Sequence, residues 1–314
     1  MRVHAGHLLG VLLALFVAAA TTAAQTPALG PGTHQQTFTH GGRTRTYLLR
    51  IPPRYDGRTP VPLVLLFHGG GGTAAQIERY VGFNALADRG GFIGVVPDGI
   101  SMQWNDGRSD SARLVPLVGA VDDVGFIAAL LDQLTERFRI DQQRIYAMGF
   151  SNGGFLSNRL GMELSSRFVA IAPVAGSLGQ AIAPNLAPQS PVAVLYIHGT
   201  RDQNVPYEGG EVVGRSGVAI SAARLVDLWV KANGCVTSVR TEQLPDRDPN
   251  DGTRVRRDVH GPCRAGTEVL FYTIEGGGHN WPGKPVAVEF GPATKDIDAT
   301  ELIWEFFQRN AKGR

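Results

Sequence analysis

Short runs of apolar residues recur along the chain and predict buried β-strands. The clearest runs are residues 47–51, 63–67, 92–96, 144–150, 169–174, 192–197 and 269–274, and a weaker one covers 36–39. Between many of these runs the apolar residues follow helical spacing, at 122–138, 152–164, 219–232 and 298–310. Strands that alternate with helices predict an α/β fold with a mostly parallel central sheet, here of about eight strands, and helices on both faces.

The number of domains can be inferred from the segments that interrupt the alternation of strands and helices. No repeat of fixed period and no Pro- or Ser-rich linker follows residue 34, so we predict a single domain over residues 25–314. The main interruption is the stretch 235–264, which is polar, rich in turn-forming residues and placed between two predicted core strands. Its composition indicates a surface flap of the same domain.

The first 24 residues have the pattern of a secretory signal peptide. Arg2 supplies a positive start, residues 8–20 form an apolar run, and small residues at 22–24 precede Gln25. The apolar run is too short to span a bilayer comfortably. We expect cleavage after residue 24, secretion to the periplasm or the medium, and no stable membrane association afterwards; the alternative is an N-terminal membrane anchor.

Net charge indicates which classes of binding partner to expect, and the cysteine content indicates a possible disulfide. The 314 residues contain 30 Lys and Arg against 28 Asp and Glu, a net charge of +2, and no long basic run. A nucleic-acid partner is therefore not expected, and small molecules or neutral polymers are favoured. Export from the cytoplasm makes Cys235 and Cys263, the only two cysteines, candidates for a disulfide. The alternative is two separate buried thiols.

A serine stands between glycines where a predicted strand gives way to a predicted helix, in the sequence Gly149-Phe150-Ser151-Asn152-Gly153. This is the arrangement of a nucleophilic serine on a sharp turn, where flanking side chains would crowd the backbone. The motif alone also occurs by chance. A serine hydroxyl is a weak nucleophile near neutral pH, so it needs a base and an acid that orients the base.

The order of the chemical groups along the chain supplies candidates for both. Asp202 and His279 follow Ser151, each in a loop after a predicted strand, which is the nucleophile, acid and base order of the α/β hydrolases. The other aspartates near strand ends come before Ser151 or after His279. We expect His68 to position a glycine loop and His198 to be a packed, hydrogen-bonded histidine; the alternative for His279 is an exposed loop histidine.

The glycine loop and the serine turn together offer donors for a developing oxyanion. One is the backbone N–H of Asn152, at the start of a helix, and the other is that of Gly69 or Gly70 in the sequence HGGGG. The alternative for the glycine run is a flexible turn. Aromatic residues Trp281, Tyr207 and Trp104 follow strand ends and are candidates to line the substrate cleft, with ordinary rim packing as the alternative.

Several motifs together resemble the polyhydroxybutyrate depolymerase and feruloyl esterase family of secreted α/β hydrolases. They are LVLLFHGGGG, IYAMGFSNGG, YIHGTRDQNVPY, NGC, GGGHNWPG and DATELIWEFF, and they span nearly all of the chain after the leader. The resemblance implies Ser151 as nucleophile, Asp202 as acid, His279 as base and a disulfide between Cys235 and Cys263.

The resemblance also implies a class of reaction. It predicts hydrolysis of hydroxycinnamoyl, acetyl or short hydroxyalkanoate esters, of small or polymeric substrates, with no metal or organic cofactor. Two alternatives are a serine peptidase on the same fold and a carbohydrate- or polyester-binding protein that keeps the fold without turnover.

Overall fold

The computed structural model describes residues 1, 29–108, 121–185, 187–214, 216–236, 238–285 and 288–311. The chain divides into a leading unit, Met1–Gly30, and a second unit, Pro31–Arg314. Apart from residue 1, the expected signal peptide lies outside the described residues. Within the described ranges, no helix is both long and apolar enough to cross a membrane.

The second unit is built on one large sheet. The described strands of this unit are β1 (Gly32–His40), β2 (Arg43–Ile51), β3 (Val61–Phe67), β4 (Ile93–Pro97), β5 (Ile140–Phe150), β6 (Ala170–Val174), β7 (Ala193–Gly199), β8 (Gly210–Glu211), β9 (Val218–Ala219), β10 (Val239–Gln243), β11 (Arg254–His260) and β12 (Val269–Glu275). Ten of them form the sheet, in the order β1-β2-β4-β3-β5-β6-β7-β12-β11-β10, and β8 pairs with β9. The six central strands are parallel, and two antiparallel strands extend each edge.

Helices cover both faces of this sheet. The described helices are α1 (Ala74–Val81), α2 (Phe83–Gly90), α3 (Asp123–Arg137), α4 (Asn152–Glu163), α5 (Ala222–Asn233) and α6 (Ala299–Arg309). Ala170 and Ala172 of β6 share one core cluster with α1, α2 and α6. Ile171, between them, lies on the opposite face and approaches α4 at Gly161. The prediction of a mostly parallel sheet between helical layers is confirmed, with ten strands in place of about eight.

The disulfide-bracketed stretch 235–264 is more regular than its composition indicated. It contains β10 and β11, which pair with each other and join the edge of the sheet through the register Val255↔Ile274. In this part the expected surface flap is therefore a two-stranded extension of the sheet. Edge strands face water, so charged residues replace the apolar ones that would reveal a strand. Cys235 and Cys263 are joined in a disulfide, as the resemblance implies.

Candidate active site

Ser151 occupies a strained turn between β5 and α4. Its backbone has φ 55° and ψ −118°, a conformation that costs a residue with a side chain about 1–3 kcal/mol. Neighbouring structure holds it there, because the Ser151 N–H donates to the carbonyl oxygen of Val174 in β6 at 2.9 Å. The side chain lies at the carboxyl end of a central parallel strand, where α/β folds collect their functional groups.

The glycines on either side of Ser151 are required by close backbone approach. A Cβ atom on Gly149 would collide with the carbonyl oxygen of Gly153. A Cβ on Gly153 would collide with the carbonyl oxygen of Phe67, at the end of β3. The sequence pattern therefore has a steric cause, since the turn lets α4 begin directly against the central strands.

Asp202 and His279 form a hydrogen-bonded pair. His279 Nδ1 lies 2.8 Å from Asp202 Oδ2, and the residues are 5% and 6% exposed respectively. Asp202 Oδ1 accepts from the backbone N–H groups of Asn204 and Val205, both at 2.8 Å, which fixes the carboxylate plane. Burial raises the pKa of Asp202, but hydrogen bonds from His198 and His279 lower it more, so the group stays ionised far into acid.

His198 contacts the same carboxylate from the other side. Its Nε2 lies 2.9 Å from the carbonyl oxygen of Val205 and 3.3 Å from Asp202 Oδ2, and its Nδ1 is bonded to the Tyr196 hydroxyl. The carbonyl can only accept, so Nε2 carries a proton and Nδ1 accepts from the tyrosine. The prediction that His198 is a packed, hydrogen-bonded histidine is confirmed. Its contact with Asp202 was not predicted, although the two residues are only four positions apart along the chain.

Ser151 and His279 line one cavity of about 190 Å³. The backbone segments at Gly69, Gly70 and Asn152 line it too, so the structure brings these five predicted residues together. The rest of its described wall is partly apolar and partly polar, and includes Phe150, Val212, Phe290, Gln103, Arg108 and Ser216. Asp202 reaches the site through His279.

The glycine loop is held by His68. Its Nδ1 lies 2.7 Å from the carbonyl oxygen of Gly69, and its Nε2 accepts from the Gly99 N–H at 2.9 Å. Burial lowers the pKa of His68, which favours the neutral ring that this arrangement needs. Among the described residues, no acceptor is bonded to the backbone N–H of Asn152 or of Gly70, which leaves both free to bind a ligand oxygen.

The three aromatic residues expected at the cleft lie elsewhere, and that expectation is wrong. Trp104 and Trp281 are fully buried, with their indole N–H groups bonded to the His68 carbonyl oxygen and the Thr300 hydroxyl, both at 3.0 Å. Tyr207 lines a separate groove. A tryptophan whose N–H has an internal acceptor packs in the core at little polar cost, which explains the placement. Among the described residues, Phe150 and Phe290 contribute phenyl rings to the cavity wall.

Comparison with known proteins identifies the family. The family model for esterase PHB depolymerase matches residues 45–232. The chain belongs to this family. The matched region includes Ser151 and Asp202, and His279 follows it in the chain.

Relatives agree with this assignment, and a solved structure has the same fold. NocK of Nocardia uniformis subsp. tsuyamanensis, which is named as an esterase, is 35% identical over 77% of this chain and 72% of its own. Feruloyl esterase C of Emericella nidulans is 30% identical over 96% of this chain and 97% of its own. The acetyl xylan esterase from Aspergillus awamori has a similar fold, with a TM-score of 0.57 at 13% identity over 87% of this chain and 99% of that one. The protein is a carboxylic ester hydrolase with the α/β-hydrolase fold.

Proposed function

We propose that this esterase uses Ser151 as nucleophile, His279 as general base and acid, and Asp202 as the residue that orients the base. The observation that carries the proposal is the 2.8 Å bond from His279 to Asp202 behind a cavity that Ser151 also lines. The strained turn presents the serine to that cavity. A nucleophile, a base and an orienting carboxylate are the three groups that ester hydrolysis by serine requires.

The geometry supports a definite sequence of proton transfers. With its Nδ1 proton donated to Asp202, His279 keeps the lone pair of Nε2 for the Ser151 hydroxyl proton. The serine oxygen attacks the ester carbonyl, and His279 then gives the proton to the leaving alcohol, which leaves an acyl group on Ser151. Water repeats the cycle and releases the acid. Asp202 stays ionised throughout and stabilises the imidazolium.

The developing oxyanion would be bound by backbone amides. We propose the N–H of Asn152 together with that of Gly69 or Gly70, because these segments line the cavity beside Ser151. Asn152 is the first residue of α4, so the helix dipole adds to the attraction for negative charge. Donors of this kind are worth about 3–4 kcal/mol each in related chemistry.

The proposed substrates are esters of hydroxycinnamic, acetic or short hydroxyalkanoic acids, released from small or polymeric alcohols. Relatives named feruloyl esterases and the family description support this range. A cavity of about 190 Å³ with a partly apolar wall suits a compact acyl group while the alcohol part extends outward.

We further propose that residues 1–24 are a cleaved signal peptide and that residues 25–314 act as one secreted catalytic domain, without lasting membrane association. The disulfide between Cys235 and Cys263 supports this, because such bonds persist in oxidising compartments.

Labelling with a fluorophosphonate tests the nucleophile, since only an activated serine reacts. We expect one adduct, on Ser151, and expect Ser151→Ala to lose both the adduct and about 10⁴-fold or more in kcat for a short chromogenic ester. Ser157→Ala is the matched control, because the hydroxyl of this buried serine of α4 donates to the Gly153 carbonyl at 2.8 Å and, among the described residues, has no base beside it. An adduct on another residue, or full turnover by Ser151→Ala, would contradict the proposal.

A further inference from the structure

The segment Gly99–Arg108, which we call the brace, lies against both proposed oxyanion-binding segments. It is tied to the glycine loop by three hydrogen bonds. The Gly99 N–H donates to His68 Nε2 at 2.9 Å, the Gly71 N–H donates to the Met102 carbonyl at 2.9 Å, and Trp104 Nε1 donates to the His68 carbonyl at 3.0 Å. These three bonds join the brace directly to the glycine loop.

The same segment clamps the side chain of Asn152, at the start of α4. The Trp104 N–H donates to Asn152 Oδ1 at 2.8 Å. Asn152 Nδ2 donates to Asp106 Oδ2 at 2.5 Å and to the Trp104 carbonyl at 3.2 Å. Both ends of this carboxamide are thus engaged, and the residue is 3% exposed. An asparagine held at three points cannot rotate without breaking buried hydrogen bonds, each costing about 1–3 kcal/mol.

Asp106 is itself held rigidly. Its two carboxylate oxygens accept from Arg108, with Nη2 at 2.6 Å and Nε at 3.0 Å from Oδ2 and the backbone N–H at 3.1 Å from Oδ1. The Arg108 guanidinium stacks on the Phe155 ring of α4 at 4.0 Å from the centroid. The pair is buried, so it acts as a fixed anchor and not as a mobile surface ion pair.

From these contacts we propose that Asp106 is a positioning residue for ester hydrolysis. Resting on the proposed function, the inference is that its carboxylate holds Asn152 by the side chain, and so aims the Asn152 backbone N–H at the oxyanion. The brace then fixes the position of that donor relative to the donor in the glycine loop. Preorganised donors stabilise a transition state only if they are already in place, and a displacement of about 1 Å can cost about 100-fold in rate.

Asp106→Asn tests the inference with little change of shape. The new amide would place an NH₂ group against donors of Asn152 or Arg108, and the clamp would release. We expect kcat for a short chromogenic ester to fall about 10- to 100-fold with KM changed less than about threefold. Asn152→Ala keeps the backbone donor but removes the clamped side chain, and we expect a similar loss in kcat.

The double variant separates positioning from general stability. If Asp106 acts through Asn152, adding Asp106→Asn to Asn152→Ala should lower kcat less than about twofold further. Asp296→Asn is the matched control: Asp296 is also buried and accepts a backbone N–H, that of Arg247 at 2.7 Å, and among the described residues it is not hydrogen-bonded to the brace or to Asn152. We expect this control to lower the melting temperature while kcat stays within about twofold.

Several results would overturn the inference: an unchanged kcat in Asn152→Ala, additive losses in the double variant, or an equal kcat loss in Asp296→Asn. If Asp106→Asn does not fold, Asn152→Ala alone decides. Fluorophosphonate labelling of Ser151 in the unaltered enzyme keeps the two hypotheses apart. Labelling with an unchanged kcat in the variants refutes only the role of Asp106, whereas absence of labelling refutes the proposed nucleophile itself.

Discussion

Replacement of Asp202 by asparagine should almost abolish turnover while leaving the fold intact. In the structure, Asp202 Oδ1 accepts from two backbone N–H groups at 2.8 Å, and Oδ2 accepts from His279. The carboxamide of the variant must choose which of its ends faces the two backbone donors. Turning its NH₂ group toward them would leave two buried N–H groups without an acceptor, at about 1–3 kcal/mol each.

The amide oxygen will therefore keep the backbone bonds, and the NH₂ group will face His279 and also His198, whose Nε2–H keeps the Val205 carbonyl as its acceptor. Nδ1 of His279 must then accept a hydrogen bond, which moves the ring proton to Nε2. A protonated Nε2 cannot take the Ser151 hydroxyl proton. Loss of the correct tautomer costs about 10⁴-fold in kcat in serine hydrolases, or about 5 kcal/mol at 1.36 kcal/mol per decade.

The assay is steady-state hydrolysis of a short chromogenic ester at pH 7, with circular dichroism and thermal unfolding to check the fold. Asp296→Asn is a suitable control, because Asp296 is also buried and accepts a backbone N–H, that of Arg247 at 2.7 Å, but has no histidine partner among the described residues. A kcat within tenfold of the unaltered enzyme in folded Asp202→Asn would refute the assignment of Asp202.

Two further predictions concern the cavity wall and the glycine loop. Phe290→Ala should raise KM for methyl ferulate in initial-rate assays, because the Phe290 ring lines the cavity. Trp281→Ala should instead lower the free energy of unfolding, measured in urea, by about 3–5 kcal/mol, because Trp281 lies deep in the core. The reverse pattern would contradict the placement of both rings. Burial holds the pKa of His68 below its unfolded value of about 6.5. The stability gained by keeping this ring neutral should therefore be fully present above that pH, and the free energy of unfolding should fall as the pH drops from about 6.5 toward the lower folded pKa. Urea titrations at pH 7.5 and 5.5 should show this loss, and an equal loss in His68→Gln, which cannot be protonated, would refute it.

The sequence was sufficient to predict the central strands and the groups at their carboxyl ends, because buried parallel strands are continuous apolar runs. Ser151 and its glycines could be recognised for the same kind of reason, since steric collision leaves only one residue type at positions 149 and 153. The chain order of acid and base then indicated Asp202 and His279, which the structure brings within hydrogen-bonding distance.

Other features depend on tertiary contacts that local pattern does not contain. Trp104 and Trp281 were expected at the cleft because they follow strand ends, yet the acceptors for their indole N–H groups come from residues 36 and 19 positions away. Asp106 offered no signal, because a carboxylate in a loop is ordinary until Asn152 and Arg108 are seen around it. Strands β10 and β11 carry charges typical of loops because they lie at a solvated edge.

The strained backbone conformation of Ser151 lowers the stability of the fold but places the serine for catalysis. A glycine at this position would adopt φ 55° without steric strain, so relief of about 1–3 kcal/mol would outweigh the roughly 0.5–1 kcal/mol by which glycine's freedom favours the unfolded chain. Alanine would keep the strain. A descendant of this enzyme freed from selection for turnover could therefore gain stability by replacing the serine with glycine, and so a glycine there in a homologous protein would be a sign of lost activity.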